Sequence, residues 1–334
     1  MSRLNNYRES VIQLGYEAVK SRVLETAFEL DLFEHLGDES KTAQTLSEEL
    51  KTNLDSLILF LNALVSLGLL ESNGRGYSNT KYGREILIKG KLLYVGDIIS
   101  LQSRSFEDWG HLKNSVLSGK PIDRPEFFKT ENTDLTRSFA LAMRDTAMGH
   151  AEFLAKKISL KPAKTFLDMG GGPGTFTIHF LKENPEMKAV IFDLPTTLVA
   201  TRQLVKEAGL ESRISFQAGD FNQDAIQGWF DICFLSHIIH GQSIEKNKKL
   251  FVKIFNVINP GGKLIVQDFF LNQDQKSPQF AAIFALNMLL HTDGGRTYTF
   301  DETENWMREA GFLKLTRSNL NLPCAISLVI GEKR

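Results

Sequence analysis

Two cysteines in 334 residues leave no material for a disulfide framework, and neither sits in a Cys or His spacing that would hold structural zinc. Cys233 and Cys324 each stand alone among apolar neighbours, as buried thiols of a reducing compartment do. An excess of charge of one sign is also missing: 39 Lys and Arg against 40 Asp and Glu give a net charge of −1. No global field therefore draws the chain to nucleic acid or to an anionic membrane. Long hydrophobic runs are lacking too. The longest, Phe280–Leu290, is interrupted by Asn287 and falls far short of a membrane span. The opening residues Met1-Ser2-Arg3-Leu4-Asn5-Asn6 lack the apolar core of a secretory signal. Together these absences predict a soluble, cytoplasmic protein. What is present is a 42% share of hydrophobic residues, enough for one large core or two ordinary ones.

Two textures meet near residues 150–165. Beyond that point short apolar runs alternate with helical patterns, which predicts a parallel α/β sheet. The expected strands are Thr165–Gly170, Ala189–Leu194, Ile214–Asp220, Phe230–His237 and Gly262–Phe270. Helices are expected at Thr175–Glu183, Thr196–Ala208 and Ile244–Val257, and a turn at Asn259-Pro260-Gly261-Gly262 before the fifth strand. The first hundred residues read as helices at Ser21–Leu36, Ala43–Leu50 and Leu54–Leu70, the last with Asn53 as N-cap. A small hairpin follows around Asn73-Gly74. Three helices and a hairpin make a winged helix, a module that often binds DNA. Phosphate contact needs Lys or Arg near the third helix, and between Lys51 and Arg75 there is neither. Leu57, Ile58, Leu61, Leu64 and Val65 instead suit packing against protein.

The most informative stretch is Phe166-Leu167-Asp168-Met169-Gly170-Gly171-Gly172-Pro173-Gly174: a buried strand, an acid, a glycine cluster and a helix opening. Glycines let the backbone come within contact distance of a ligand, and a helix N-terminus offers free N–H groups. Gly170, Gly172 and Gly174 form a nucleotide-type loop. Asp193 closes the second strand, where its two oxygens suit a ribose diol, so NAD and S-adenosylmethionine fit equally well up to this point. Asp168 separates them. A carboxylate before the loop repels a pyrophosphate but suits a ligand carrying ammonium and sulfonium charges and no phosphate. Asp220, ending the third strand, is placed to meet the adenine edge.

Phe166–Gly174, Ile191-Phe192-Asp193-Leu194-Pro195, Gly219-Asp220-Phe221, His240 and Gly294-Gly295-Arg296 stand in the order seen in S-adenosylmethionine-dependent O-methyltransferases. Over nearly its whole length the chain resembles the family that includes plant caffeate-type enzymes and bacterial natural-product methyltransferases. The Asp-Leu-Pro after the second strand is the more specific of these motifs; the glycine loop alone is not specific. The resemblance implies a Rossmann-like class I methyltransferase sheet at 156–334, a winged-helix-like dimerisation domain at 1–100, and a helical connector at 101–155 that contributes to the acceptor pocket. It implies a homodimer, with S-adenosylmethionine held by Asp168, Gly170, Gly172, Gly174, Asp193, Leu194, Asp220, Phe221 and Ser236.

Methyl transfer from a sulfonium is an in-line displacement, so the protein has to align the nucleophile and remove its proton. Ser236-His237-Ile238-Ile239-His240-Gly241 offers two histidines after the fourth strand, and the resemblance makes His240 the general base. His237 reads as packing or cofactor-side. The His-x-x-His spacing does not suggest a metal, because the segment itself contains no carboxylate or cysteine. The chain departs from the family where Gly241-Gln242 replaces an acid and a tryptophan. Of two carboxylates that orient the base in the family, Asp268 matches the first, while Thr297 stands where the second is expected. His240 is then held by Asp268 alone or by Asp268 with the Thr297 hydroxyl. Met143, on a helix around Phe139–Asp145, and Met288 and His291, on the apolar helix Phe284–His291, are implied to line a pocket for a flat apolar acceptor. Transfer to nitrogen or carbon, a relative using the cofactor for decarboxylation or hydroxylation, and an S-adenosylmethionine-sensing regulator are the alternatives.

Overall fold

The computed structural model describes residues 3–123, 133–320 and 326–334, which leaves Cys324 outside the described residues. The chain divides into two compact units, Met1–Ser105 and Phe106–Arg334.

The first unit opens with α1 (Arg3–Glu29) and the short α2 (Leu32–Leu36). The single helix expected from Ser21 to Leu36 is therefore two: Asp31 takes φ +50°, which ends the first helix and starts the second. The helix also begins eighteen residues earlier than expected, at Arg3. Next come α3 (Ala43–Leu50) and α4 (Leu54–Ser66), capped by the Thr42 and Asn53 side chains, which accept from Thr45 N and Ser56 N. Gly68, at φ +73°, stops α4 short of Leu70. Strands β1 (Leu70–Ser72) and β2 (Tyr77–Asn79) pair antiparallel as the wing. Two further helices, α5 (Gly83–Ile86) and α6 (Gly96–Arg104), complete the unit. Phe28, Leu32, Phe33, Leu46, Leu57, Leu61 and Leu64 form its core, and the buried Asn79 amide donates to the Phe33 and Gly37 carbonyls.

The second unit starts with α7 (Phe106–Trp109), α8 (Leu112–Ser118) and α9 (Thr133–Lys157). Then β3 (Thr165–Met169), α10 (Thr175–Glu183), β4 (Lys188–Asp193), α11 (Pro195–Glu207), β5 (Ile214–Ala218) and β6 (Phe230–Ser236) alternate as expected. Helix α12 (Ile244–Val257) leads to β7 (Ile258–Phe269), followed by α13 (Gln279–His291), α14 (Phe300–Ala310), β8 (Leu313–Asn319) and β9 (Ile326–Glu332). The expected turn at Asn259–Gly262 is a bulge inside β7. Phe230 faces Ile258 and Ile232 faces Lys263, so the residues between loop out, with Gly261 at φ +79°.

The seven strands lie in the order β5-β4-β3-β6-β7-β9-β8. Strands β5 to β7 are parallel and β9 is antiparallel to both its neighbours. Period-two alternation splits the core into two layers. Phe166, Ile232, Phe234 and Ile265 face one way, towards Leu154, Phe180 and Leu198. Leu167, Cys233, Leu235 and Leu264 face the other, towards Phe251, Ile254, Trp306 and Met307. The order reverses between β3 and β6, and the crevice at their carboxyl ends is where open α/β sheets bind ligands.

Candidate active site

The glycine loop joins β3 to α10, with Gly170, Gly172 and Gly174 all at positive φ. A Cβ on Gly170 would lie 2.5 Å from Ile238 Cδ1 and 3.5 Å from the Phe221 ring, whereas one on Gly172 would meet nothing within 4 Å. The loop is thus packed from beneath at its first glycine and open at the second. Gly172 N donates to Asp193 Oδ2 at 2.8 Å, and Leu194 N donates to Asp193 Oδ1 at 2.7 Å. Each oxygen keeps lone-pair capacity for a diol. Burial raises the Asp193 pKa, and the two N–H donors and Thr197 pull the other way. Asp220 is half-exposed, its oxygens accepting from Asn222 N at 2.8 Å and Gln223 Nε2 at 2.9 Å.

Asp168 differs from the expectation of a charge facing the ligand. It is 2% exposed, and its Oδ2 accepts from Thr177 Oγ1 at 2.5 Å. A Cβ on Gly171 would strike its carboxyl group. The residue lies under the loop, and burial, with the Asp193 charge adding, pushes its pKa up to about 7 against the Thr177 bond.

After β6 a single turn of 3-10 helix, Ile239–Gly241, carries His240. Its Nδ1 lies 2.7 Å from Asp268 Oδ1, at the end of β7. Asp268 is 1% exposed. Burial acts to raise its pKa, but the charge and hydrogen bond of His240, with His237 and the Phe269 N–H, hold it below the usual carboxylate range. An ionised Asp268 accepts, so His240 Nδ1 donates and the ring's lone pair is on Nε2. Phe269 stacks on His240 at 5.9 Å and Phe284 meets it edge-on at 5.0 Å.

The second expected orienting group is not engaged. Thr297 Oγ1 donates to the Ala281 carbonyl at 3.0 Å, so its hydroxyl fixes α13 and does not serve as a partner for His240. That corrects the expected pairing of Thr297 with His240: a short hydroxyl on a residue 1% exposed is consumed by the nearest carbonyl.

His237 takes φ +55°. Its Nε2 lies 3.1 Å from Gln267 Nε2 and its Nδ1 is 4.0 Å from Asp268 Oδ1. Burial, with the other histidines adding to it and Asp268 opposing, lowers its pKa to about 3. The carboxylate missing from the His-x-x-His segment comes from β7, so the ligand atoms of His237, His240 and Asp268 all lie within 4.8 Å of one another. The direct 2.7 Å contact between His240 and Asp268 is shorter than the roughly 3 Å that two ligands need around a zinc-sized ion.

Met143 is half-buried on α9 and Met288 is 7% exposed on α13. His291 is tied at both ring nitrogens: Nδ1 lies 2.9 Å from the Asn287 carbonyl and Nε2 3.2 Å from Asp108 Oδ2 on α7. Asp108, Phe269 and Phe280 were not legible as site residues. Phe280 and Phe284 pack on Phe269 at 4.9 and 4.8 Å, which makes an aromatic wall beside His240. The Phe-Glu-Asp-Trp run was the one sequence signal for Asp108, an acid framed by aromatics.

Strand tips, glycine loop and an Asp-held histidine at the switch point define a class I methyltransferase. Two family models match the chain, the O-methyltransferase domain over residues 109–313 and the O-methyltransferase dimerisation domain over residues 12–89. The chain belongs to the S-adenosylmethionine-dependent O-methyltransferase family. It is 30% identical over 328 residues to the tetracenomycin polyketide synthesis 8-O-methyl transferase TcmO of Streptomyces glaucescens, covering 97% of this chain and 96% of that one. It is 27% identical to the 3-hydroxy-5-methyl-1-naphthoate 3-O-methyltransferase of Streptomyces sahachiroi, with 94% and 92% covered. The crystal structure of human N-acetylserotonin methyltransferase in complex with S-adenosylmethionine superposes with a TM-score of 0.90 at 22% identity, over 100% of this chain and 98% of that one, a likeness of fold.

The residues present fit that cofactor. Besides the open space at Gly172, the buried atoms Ser236 Oγ, His237 Nδ1 and Gln267 Oε1 at the ends of β6 and β7 have no hydrogen-bond partner, as expected where a polar ligand completes a site. No helix among the described residues is long and apolar enough to cross a membrane.

Proposed function

We propose that the chain methylates a hydroxyl of a small aromatic or polyketide-like molecule, with His240 as general base. The supporting observation is the 2.7 Å His240–Asp268 contact, which fixes the ring's tautomer so that Nε2 is free to accept a proton. Asp193 and Asp220 would hold the ribose and adenine of the donor, with Gly170, Gly172, Gly174, Leu194, Phe221 and Ser236 around it. When bound, S-adenosylmethionine supplies a methyl group already activated on a sulfonium.

The chain's own task is alignment and proton removal. Phe269, Phe280 and Phe284, with Met143, Met288 and His291, present an apolar wall to a flat acceptor and exclude water from it. A phenolic O–H has a pKa of about 10, as tyrosine does, so a neutral imidazole takes its proton as the oxygen–carbon bond forms. Asp268 stabilises the imidazolium that results. With Thr297 turned to Ala281, this stabilisation falls to Asp268 alone, which suits acidic phenols and enols best. Replacing His240 with Ala is expected to lower kcat by about 10²-fold or more and to leave the calorimetric affinity for S-adenosylhomocysteine within threefold. An unchanged kcat would reduce the mechanism to positioning.

The relatives named as acting on a polyketide and on a naphthoate support the aromatic acceptor. The dimerisation model and the exposed apolar residues of α1 support a homodimer. The buried Cys233 thiol and the even charge balance suit the cytoplasm.

A further inference from the structure

His150 lies on α9, outside every motif so far described. It is 8% exposed, and its buried Nε2 has no hydrogen-bond partner. Its ring packs on Phe176 with centroids 5.5 Å apart. A buried polar atom left unpaired costs about 1–3 kcal/mol, so His150 Nε2 is open to a partner that the chain's own side chains do not supply. Burial also drives the ring's pKa down to about 4. It is therefore neutral near pH 7, and Nε2 acts through hydrogen bonding without charge.

Its neighbours fix where the missing partner lies. Phe176 is the second residue of α10, directly after the glycine loop, and its ring meets Phe234 of β6 at 5.3 Å. Phe234 stands two residues before Ser236. His150 is also close enough to His237 to add to the effect of burial on that ring. His150 thus belongs to the β3–β6 side of the row of strand tips, whereas Asp193 and Asp220 end β4 and β5 on the other side. A donor lying along this row, ribose at Asp193 and adenine at Asp220, brings its amino-acid end over β3 and β6. That end carries a carboxylate and an ammonium, and Ser236 Oγ is a second unpartnered atom there.

We propose that His150 Nε2 hydrogen-bonds the amino-acid end of the methyl donor, beside Ser236 Oγ, so that α9 helps to hold the donor. This rests on reading Asp193 and Asp220 as the nucleoside contacts. Two ligands separate the ends of the molecule: S-adenosylhomocysteine, and 5′-methylthioadenosine, which keeps the nucleoside and the sulfur but has no amino-acid group. By calorimetry on the full chain, His150→Phe is expected to weaken S-adenosylhomocysteine about tenfold, the loss of one hydrogen bond, and to leave methylthioadenosine within twofold. His150→Gln, which keeps a polar group, is expected to recover most of the difference. Equal losses for both ligands, or none for either, would overturn the proposal. A second measurement needs no folded variant. With ¹⁵N-labelled histidine in the unaltered protein, the His150 Nε2 resonance is expected to shift on adding S-adenosylhomocysteine and not on adding methylthioadenosine; identical responses would also overturn it. Asp193→Ala serves as the control, because loss of affinity for both ligands there upholds the nucleoside reading whatever His150 does.

Discussion

Single side chains of the second unit pull on the protein's proton balance in opposite directions. His150 and His237 have folded pKa values of about 4 and about 3, below their ordinary value of 6.5. Their contribution to stability is complete above pH 6.5 and is lost as pH falls towards those values, because the unfolded chain binds the protons first. Asp168 has the reverse sign. Its folded value of about 7 lies above the model-peptide value of 3.8, so its contribution is complete below 3.8 and is lost as pH rises through 7. Above that point an ionised carboxylate is kept buried with one hydroxyl donor. Asp168→Asn retains the Thr177 bond and removes the charge. It is expected to raise the thermal midpoint of the cofactor-free protein at pH 8, by a stability gain of order 3 kcal/mol, with the gain shrinking towards pH 5. A gain that is the same at both pH values would show that the carboxylate does not titrate in this range.

Elements were legible where their reason for forming is local. Strands β3 to β6 and helices α10 and α12 carry alternating or helical apolar spacing with Gly, Pro or Ser punctuation, and they begin and end within two residues of expectation. The antiparallel pair β8 and β9 was not read. Lys314, Arg317 and Ser318 interrupt the apolar pattern of β8, and its place depends on pairing with β9. Among the candidate site residues, His240, Asp193 and Asp268 stand next to recognisable motifs, but the contacts of His150 with Phe176 and of Asp108 with His291 are made only by folding. The glycine turn shows how one element positions another. A Cβ on Gly295 would lie 2.5 Å from the His240 carbonyl oxygen and 2.4 Å from Thr292 Oγ1, so the turn after α13 packs directly against the backbone of His240. Tyr298 O–H donates to the Gln242 carbonyl at 2.6 Å and pins the same segment from the next residues. Gly295→Ala is expected to push His240 away from its place, at a stability cost of about 1–3 kcal/mol. Turnover should fall at least tenfold while calorimetric affinity for S-adenosylhomocysteine stays within threefold. Retained turnover would mean that the turn yields and does not position His240.

For the whole molecule, the question is what covers α1. At 27 residues it is about 40 Å long, and every residue from Arg3 to Ser21 is exposed. Isolated helices in water are marginal, and most helical stability in proteins comes from packing of an apolar face. Such a face exists: Leu4, Tyr7, Val11 and Leu14 follow the alternating three- and four-residue spacing of a helix–helix seam and are 51–74% exposed. We propose a second copy of the chain as the occupant: the dimerisation family model begins at residue 12, within α1, and of this seam takes in Leu14, while a two-fold dimer sets the same face of both copies against each other. Burying a Leu or Tyr side chain contributes about 1.5–3 kcal/mol, and each seam position occurs twice in a symmetric dimer. Replacing Tyr7 and Leu14 together with Glu puts four like charges into the seam. Light scattering after size exclusion is expected to give twice the 37.6 kDa chain mass for the unaltered protein and a single chain mass for the double variant, with far-ultraviolet circular dichroism losing the signal of the uncovered helix. A monomeric mass for the unaltered chain at micromolar concentration would sink the dimer. A double variant that stays dimeric would move the interface to other exposed side chains of the first unit, among which Leu59 on α4 is 73% exposed.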